Sequence, residues 1–309
     1  MCGIAGLIYK NGRDTIGPDM TRMLQSMKHR GPDSTGYALY RPPADDYVMH
    51  VKLADANTPR DFEFADRLRR SRAEVERRLR VAGARISESR DATEYAFTVT
   101  FEYDGELKAL ADRVEDVSGA EVLSLGRSLE IVKDLGDAET VGGQYGLDGF
   151  TGTHAIGHVR MATESEVDIA GAHPYWAYPF SDVAVVHNGQ LTNYFMWRRR
   201  LERSGHRFMS ECDSEIIAVY LAEKMGEGDS LEEAMHRSLD DLDGVFTYIA
   251  VTNEALGVAK DELAAKPLVL YESEELTAVA SEEIAIRQIV DHEIETYDPF
   301  EREVLVWKR

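Results

Sequence analysis

Apolar residues recur along the chain with two spacings, and each spacing predicts a different element. Met20, Met23, Leu24 and Met27 fall at i, i+3, i+4 and i+7, which is typical of one buried helix face. Over 95–103, aromatic residues and valine alternate with mostly polar residues, which predicts a half-buried strand. Further strands are predicted near 2–9, 35–40, 120–125, 127–132, 153–159, 182–187, 245–252, 255–260, 267–272, 276–280 and 303–307, and further helices near 107–114, 192–204, 212–225 and 230–241.

The pattern changes at about residue 42, after Arg41-Pro42-Pro43. A charged segment continues through Arg80 and predicts a long surface helix. A strand, a helix and two short strands follow, and this β-α-β-β order suggests a small α+β insertion over 42–149. The insertion carries no catalytic constellation, so we expect a docking or structural role. The polar motifs lie in 2–41 and 150–309.

Composition limits the function classes. The chain has 309 residues, 43% of them hydrophobic, and no apolar run approaches the ~20 residues of a membrane span. The N-terminus lacks a signal-peptide pattern, and only two cysteines occur, so we expect a cytoplasmic protein without disulfides. A net charge of −21 argues against nucleic acid as a partner, since phosphate binding needs a basic face. No membrane or metal site is predicted.

Cys2 becomes the N-terminal residue if Met1 is removed. One residue would then carry a thiol nucleophile and a free α-amine, groups that ordinarily titrate near ~8.5 and ~8. Such a residue can supply both nucleophile and general base near neutral pH. A cysteine at position 2 is more often only a cysteine, so the interpretation depends on what accompanies it.

Three other motifs supply what amide attack requires. His187-Asn188-Gly189 follows the apolar run 183–186 and places an amide and a glycine N–H at a strand end, suitable as oxyanion donors. The same Asn-Gly pair is also a common hairpin turn. Arg160, at another strand end, and Asp213, at a helix start, could bind the carboxylate and amine of a free amino acid. The alternative for Asp213 is a purely structural role as the N-cap of the helix.

Taken together, the chain resembles the glutaminase domain of class II glutamine amidotransferases, which are N-terminal-nucleophile (Ntn) hydrolases. The resemblance covers about 2–41 and 150–309 and rests on motifs that occur in the family's order. These are Cys2-Gly3-Ile4-Ala5-Gly6, Arg30-Gly31-Pro32-Asp33-Ser34-Thr35-Gly36, Gly157–Thr163, His173-Pro174, His187-Asn188-Gly189, Asp213-Ser214-Glu215, Leu242-Asp243-Gly244-Val245-Phe246, Ala259-Lys260-Asp261 with Lys266-Pro267-Leu268, and Ala280-Ser281-Glu282.

The resemblance implies a four-layer αββα sandwich, an α+β fold. It also implies that Cys2 is the nucleophile and its own amine the base, and that the Asn188 side chain and the Gly189 backbone form the oxyanion hole. Glutamine would be hydrolysed through a γ-glutamyl thioester, releasing ammonia and then glutamate.

The resemblance further assigns the residues that would hold glutamine. Arg160 would bind the α-carboxylate with help from Thr163, and Asp213 would bind the α-amine. A mobile loop over 30–36, with Arg30, Gly31 and Asp33, would close over the substrate.

The chain departs from the family pattern in two ways. After the Arg-x-Ala-Thr motif the family often has a glycine within two residues, whereas here Glu164-Ser165 follows. A carboxylate so near the substrate's α-carboxylate is unfavourable unless it points away. The other departure is the insertion over 42–149, where many relatives have a much shorter connection.

The layout is most similar to stand-alone glutaminase subunits of glutamate-synthase-like systems, including N-methylglutamate synthase. The last predicted strand lies just before Arg309, and no glycine-rich phosphate loop occurs. The resemblance therefore implies a hetero-oligomer in which a separate synthase subunit accepts the ammonia. This chain would carry no cofactor, and FMN and an iron–sulfur cluster would belong to the partners.

Two alternatives stay open at this point. The first is a free-standing Ntn amidase acting on another γ-glutamyl compound, because Arg160 with Asp213 suits any free glutamyl head group. The second is a non-catalytic regulatory or scaffold subunit that retains Met1.

Overall fold

The computed structural model describes residues 2–10, 12, 14–55, 58–161, 171–178 and 182–309. Within these ranges the strands are β1 (Gly3–Tyr9), β2 (Ser34–Tyr40), β3 (Tyr47–Lys52), β4 (Arg85–Asp91), β5 (Ala96–Glu102), β6 (Glu121–Gly126), β7 (Leu129–Leu135), β8 (His154–Arg160), β9 (Tyr175–Trp176), β10 (Ala184–Leu191), β11 (Gly244–Val251), β12 (Ala255–Lys260), β13 (Val269–Glu272), β14 (Leu276–Ala280) and β15 (Val304–Lys308). The α-helices are α1 (Ile16–Ser26), α2 (Phe64–Val81), α3 (Leu107–Glu115), α4 (Ala138–Gln144), α5 (Tyr194–Arg203), α6 (Asp213–Gly226), α7 (Leu231–Asp241) and α8 (Glu283–Ile286). Two 3-10 helices lie at Lys28–Arg30 and Leu147–Gly149.

Two antiparallel sheets pack face to face and are covered by helices on their outer sides. The six-stranded sheet has the order β13-β14-β1-β8-β2-β7, and the five-stranded sheet has the order β15-β12-β11-β10-β9. Their facing sides share one apolar core. Helices α1, α4 and α8 cover the first sheet, and α5, α6 and α7 cover the second. This α+β arrangement of four layers confirms the predicted αββα fold class.

Helix α1 follows the predicted apolar stripe. Met20, Met23 and Leu24 are fully buried and pack with the side chains of the six-stranded sheet. The helix begins at Ile16, so Pro18 lies in its first turn, where a missing N–H costs no intrahelical hydrogen bond. The spacing of the methionines therefore predicted which face of this helix is buried.

A third, four-stranded sheet is built from the inserted residues. Its order is β4-β5-β3-β6, and helices α2 and α3 accompany it. The alternating strand over 95–103 and the helix and strand that follow it are confirmed as β5, α3 and β6. The predicted long surface helix through Arg80 is present as α2, but it begins only at Phe64, because β3 forms in the first part of the charged segment. Strand β4 was also not predicted.

The chain leaves the inserted sheet after β6, and the next strand, β7, pairs with β2 of the six-stranded sheet. The register runs from Ser34 opposite Leu135 to Tyr40 opposite Leu129. Helix α4 follows and packs on α1. The predicted insertion over 42–149 is thus divided between two sheets, with 47–126 in the separate one and 129–149 against the body of the protein.

None of the helices in the described ranges is both long and apolar enough to cross a membrane.

Candidate active site

Cys2 stands at the entrance to β1, a strand held on both sides. Gly3 is paired with Val159 of β8, and β14 lies along the other edge of β1. Ser281, just after β14, makes two hydrogen bonds with Ile4, the residue that follows Gly3. The Ile4 N–H donates to Ser281 Oγ at 3.0 Å, and the Ser281 N–H donates to the Ile4 carbonyl oxygen at 2.9 Å. The backbone next to Cys2 is therefore held at one position.

Cys2, Arg160 and Asn188 point to the same layer of the molecule. Side chains alternate between the two faces of a strand. Each of the three residues lies an even number of positions from a side chain packed between the two sheets. Those reference side chains are Ile4, Ile156 and Val186. Arg160 on β8 and Asn188 on β10 thus face the space between the sheets, and Cys2, which directly precedes β1, lies at the same end, where β1 begins and β8 ends.

Asn188 joins the five-stranded sheet to Cys2. Its Nδ2 donates a hydrogen bond of 3.1 Å to the Cys2 carbonyl oxygen, and its side chain is buried. A primary amide carries two N–H donors, so one donor remains after this contact. The pair brings a predicted oxyanion donor directly to the predicted nucleophilic residue.

Gly189 occupies a backbone conformation and a space that only glycine fits. Its φ is +145°, a value that L side chains rarely adopt. A Cβ added there would overlap the carbonyl oxygen of Val245 on the neighbouring strand. This explains why a glycine follows Asn188, and it leaves the backbone beside the amide uncovered by a side chain.

Arg30 makes a contact with Cys2 that sequence reasoning missed. Its Nε donates to the Cys2 carbonyl oxygen at 3.1 Å, and its Nη1 donates to Glu282 Oε1 at 2.6 Å. Burial opposes ionisation of Glu282, but hydrogen bonds from Arg30 and His29 keep its pKa below the usual range. The Cys2 carbonyl oxygen is thus held by two donors, Arg30 and Asn188. The only sequence signals were the two motifs that contain Arg30 and Glu282.

Gly31 and Asp33 fasten the rest of the predicted glutamine loop to the end of β8. A Cβ on Gly31 would overlap the backbone between Val159 and Arg160, so the loop packs there without a side chain. The Asp33 N–H donates to the Arg160 carbonyl oxygen at 3.1 Å. The loop therefore contacts both the Cys2 segment and the segment of the predicted carboxylate-binding arginine.

Arg160 is the last residue of β8, one position beyond the pairing of Gly3 with Val159. Its guanidinium lies against Gly171, where a Cβ would be 2.7 Å from Nη2. The predicted partner Thr163 and the unusual Glu164 lie outside the described residues.

Asp213 is the first residue of α6, and its carboxylate reaches back to β10. Its Oδ2 accepts the Leu191 N–H at 2.7 Å, shortly after Asn188 and Gly189. Its side chain is 19% exposed, so one side of the carboxylate is accessible. A carboxylate at a helix N-terminus is favoured by the helix dipole. The structure thus brings Asp213 beside the Asn188-Gly189 segment.

Sequence reasoning gave no role to a buried group of three histidines. The rings of His158 and His173 stack at 4.1 Å, and His173 and His187 both contact the Ser214 hydroxyl. Burial lowers the pKa of all three, to about 3 for His158, so they are neutral at physiological pH. Among the described residues no His, Cys, Asp and Glu side chains are grouped so as to hold a metal ion. Each histidine lies in a motif that carried the family resemblance.

A family model described as a glutamine amidotransferase domain matches residues 158–288. The chain is 39% identical over 307 residues to a putative glutamine amidotransferase of Methanothermobacter thermautotrophicus, which covers 97% of this chain and 98% of that protein. It is 35% identical over 280 residues to the glutamine amidotransferase-like protein GlxB of Rhizobium meliloti, with 90% and 88% covered.

A solved structure supports the likeness in fold. The glutamine phosphoribosylpyrophosphate amidotransferase from B. subtilis matches with a TM-score of 0.61 at 18% sequence identity. The match covers 99% of this chain and 47% of that one, so this chain spans about half the length of that chain. At this identity the similarity concerns the fold alone.

Proposed function

Because this chain belongs to the class II glutamine amidotransferases, we propose that it is the glutaminase component of an assembly whose synthase chemistry resides in a separate subunit. The reaction of this component is the hydrolysis of glutamine to glutamate and ammonia. The ammonia passes to the partner rather than to bulk water. The observation that carries the proposal is the hydrogen bond between Asn188 and Cys2, which joins nucleophile and oxyanion donor across two sheets.

In the proposed mechanism, the Cys2 sulfur attacks the carboxamide carbon of glutamine, and the thiol proton passes to the Cys2 α-amine. The new oxyanion accepts hydrogen bonds from the free N–H of Asn188 and the backbone N–H of Gly189. When the tetrahedral intermediate collapses, the C–N bond breaks, and the leaving nitrogen takes the proton from the α-ammonium group. Ammonia leaves, and a γ-glutamyl thioester remains on Cys2.

Water completes the cycle. The α-amine accepts a proton from water as its oxygen attacks the thioester carbon, and the C–S bond then breaks to release glutamate and the thiol. Arg160, helped by Thr163, holds the α-carboxylate throughout, and Asp213 holds the α-amine. Arg30, Gly31 and Asp33 form one wall of the site.

The separate synthase subunit is supported by the lengths of the relatives. The archaeal relative is matched over 98% of its length, whereas only 47% of the phosphoribosylpyrophosphate amidotransferase chain is matched. The fold of this chain thus corresponds to about half of a protein whose name includes an acceptor, phosphoribosylpyrophosphate. We propose a glutamate-synthase-like or N-methylglutamate-synthase-like partner, with FMN and an iron–sulfur cluster bound by the partner subunits.

The inserted sheet offers a surface for that partner. Phe62, two residues before helix α2, is 94% exposed, and Val81, the last residue of α2, is 69% exposed. Burial of such apolar side chains against a partner is favourable. We propose that the surface along helix α2, from Phe62 to Val81 and within 60–126, docks the synthase. Residues 129–135 are not part of this docking surface. They form β7 of the six-stranded sheet, and their removal would disrupt the candidate active site.

The proposal is tested with a C-terminally tagged chain, which keeps the N-terminus free, expressed in its own host cells. We expect it to co-purify with a flavin-containing protein and to hydrolyse glutamine faster in that complex than alone. The double variant Phe62→Ser/Val81→Ser should lose the flavoprotein and the activation but keep its reactive Cys2. A matched control, Phe300→Ser, removes a 71% exposed phenylalanine elsewhere and should change neither. Full activity in the isolated chain, or assembly of the double variant, would contradict the proposal.

A further inference from the structure

The hydroxyl of Ser214 lies at the centre of a buried cluster beside the site, which we term the Ser214 cluster (His173, His187, Asp213 and Ser214). Ser214 Oγ is 2.6 Å from His173 Nε2 and 2.7 Å from His187 Nδ1. It is also 3.4 Å from Asp213 Oδ1. Ser214 and His187 are 1% and 2% exposed, so water does not compete for these contacts.

The chemistry of these groups sets the direction of the hydrogen bonds. A neutral imidazole has one N–H donor and one acceptor nitrogen, and a serine hydroxyl has one proton and two lone pairs. His173 Nδ1 and His187 Nε2 are buried and have no hydrogen-bond partner among the described residues. An unpaired acceptor nitrogen at these two positions costs less free energy than an unpaired N–H, because buried N–H groups without an acceptor are the rarer of the two. The protons of both rings therefore lie on the nitrogens that face Ser214.

With both imidazoles donating to it, the Ser214 hydroxyl has its lone pairs occupied. Its single proton is then directed to Asp213 Oδ1, a stronger acceptor than the Cys212 sulfur, which lies 3.5 Å from Ser214 Oγ. The other carboxylate oxygen, Oδ2, already accepts the Leu191 N–H. Asp213 Oδ1 also lies 3.7 Å from the Cys212 thiol, a weak donor. Both oxygens of Asp213 are thus held from the protein side, and the remaining lone pairs stay on the accessible side of the carboxylate.

We propose that Ser214, oriented by His173 and His187, is a positioning residue that fixes the Asp213 carboxylate for the α-ammonium group of the substrate. This inference rests on the proposed function, in which Asp213 binds that group. It goes further, since it makes recognition of an α-amino acid depend on a residue that does not touch the substrate. A hydroxyl held by two ring N–H donors cannot turn away from Asp213, so the carboxylate keeps one orientation.

The test compares glutamine with glutaramic acid, which is glutamine without its α-amine. Steady-state kinetics of ammonia release are measured for the wild type and for Ser214→Ala, Ser214→Thr and Ser214→Cys. Cysteine keeps the side chain's shape and offers only a weak donor, so it serves if the alanine variant does not fold. Ser238→Ala is the matched control, because Ser238 is a buried serine whose hydroxyl bonds Met235 and Tyr248 in α7 and β11.

We expect Ser214→Ala to raise KM for glutamine about ten-fold, the effect of one hydrogen bond to a charged group, with little change in kcat. Its kinetics with glutaramic acid should match those of the wild type. Ser214→Thr should restore the preference for glutamine, Ser214→Cys should lie between them, and Ser238→Ala should leave the preference unchanged. Equal losses on both substrates, or an unchanged KM for glutamine, would overturn the inference. A wild type that hydrolyses neither compound would instead overturn the proposed function.

Discussion

The side-chain amide of Asn188 lies 3.1 Å from the carbonyl oxygen of Cys2 and ties the second sheet to the residue that directly precedes strand β1 of the first sheet. This contact fixes both members of the pair. The cysteine backbone is anchored by a residue from another strand, and the amide is held at the place where the substrate's carbonyl would be attacked. The oxyanion donor and the anchor of the nucleophile are thus the same side chain.

Replacing Asn188 with alanine should therefore slow the chemical step more than it weakens binding. We expect kcat for glutamine hydrolysis to fall about 10²–10³-fold, the effect of one lost oxyanion donor, while KM changes little. The control is Asn193→Ala, since the Asn193 amide bonds the Asp241 carbonyl oxygen away from the site. A kcat for Asn188→Ala close to that of Asn193→Ala would argue against the assigned role.

Arg30 should matter through its hold on the Cys2 carbonyl. The variant Arg30→Met removes the hydrogen bonds to Cys2 and Glu282 and leaves the half-buried Glu282 without its arginine. We expect the alkylation of Cys2 by 6-diazo-5-oxo-norleucine to slow about ten-fold. Arg287→Met is the matched control, because Arg287 pairs with Glu283 at the surface. If both variants react at the wild-type rate, Arg30 is only part of the wall.

Glu115, the last residue of α3, should make the stability of the protein depend on pH. Burial raises its pKa to about 7, above its ordinary value, although a hydrogen bond from the Val122 N–H opposes the shift. The folded protein therefore binds this proton more tightly than the unfolded chain does. The stabilising effect is present at low pH and is lost as the pH rises through about 7, where the folded state must hold a buried charge.

Glutamine at this position cannot ionise. The variant Glu115→Gln should be more stable than the wild type at pH 8 by about 1–2 kcal/mol and should approach it at pH 5. Thermal or denaturant unfolding at the two pH values measures the difference. Glu88→Gln, which changes an exposed glutamate on β4, is the control for a general charge effect. The same shift at both pH values for Glu115→Gln would contradict this account.

The sequence predicted those elements whose local pattern matches their burial. The methionine stripe of α1 and the alternation of β5 are such cases, because each buries one face. Strand β4 carries mostly polar residues at the edge of its sheet, so it has no apolar period to detect. Strand β7 was expected in the insertion, and its pairing with β2 depends on packing between segments far apart in the chain.

The same division holds at the candidate site. Cys2, Asn188, Gly189 and Asp213 were singled out by motif and chemistry, and the structure brings them to one end of the sheet layer. The anchoring contact of Arg30 could not be predicted, because it depends on where a side chain ends after folding. The contacts of Ser214 with His173 and His187 were missed for the same reason. A buried histidine has no periodic signature, and its role depends on which hydroxyl lies beside it.

The most direct test of the central claim is the intact mass of the natively expressed protein before and after incubation with 6-diazo-5-oxo-norleucine. This glutamine analogue alkylates the thiol only where a glutamine site and a reactive cysteine coexist. The account predicts loss of Met1 and one covalent adduct, which is absent in Cys2→Ala. Retention of Met1 without an adduct, or an adduct that persists in Cys2→Ala, would contradict it.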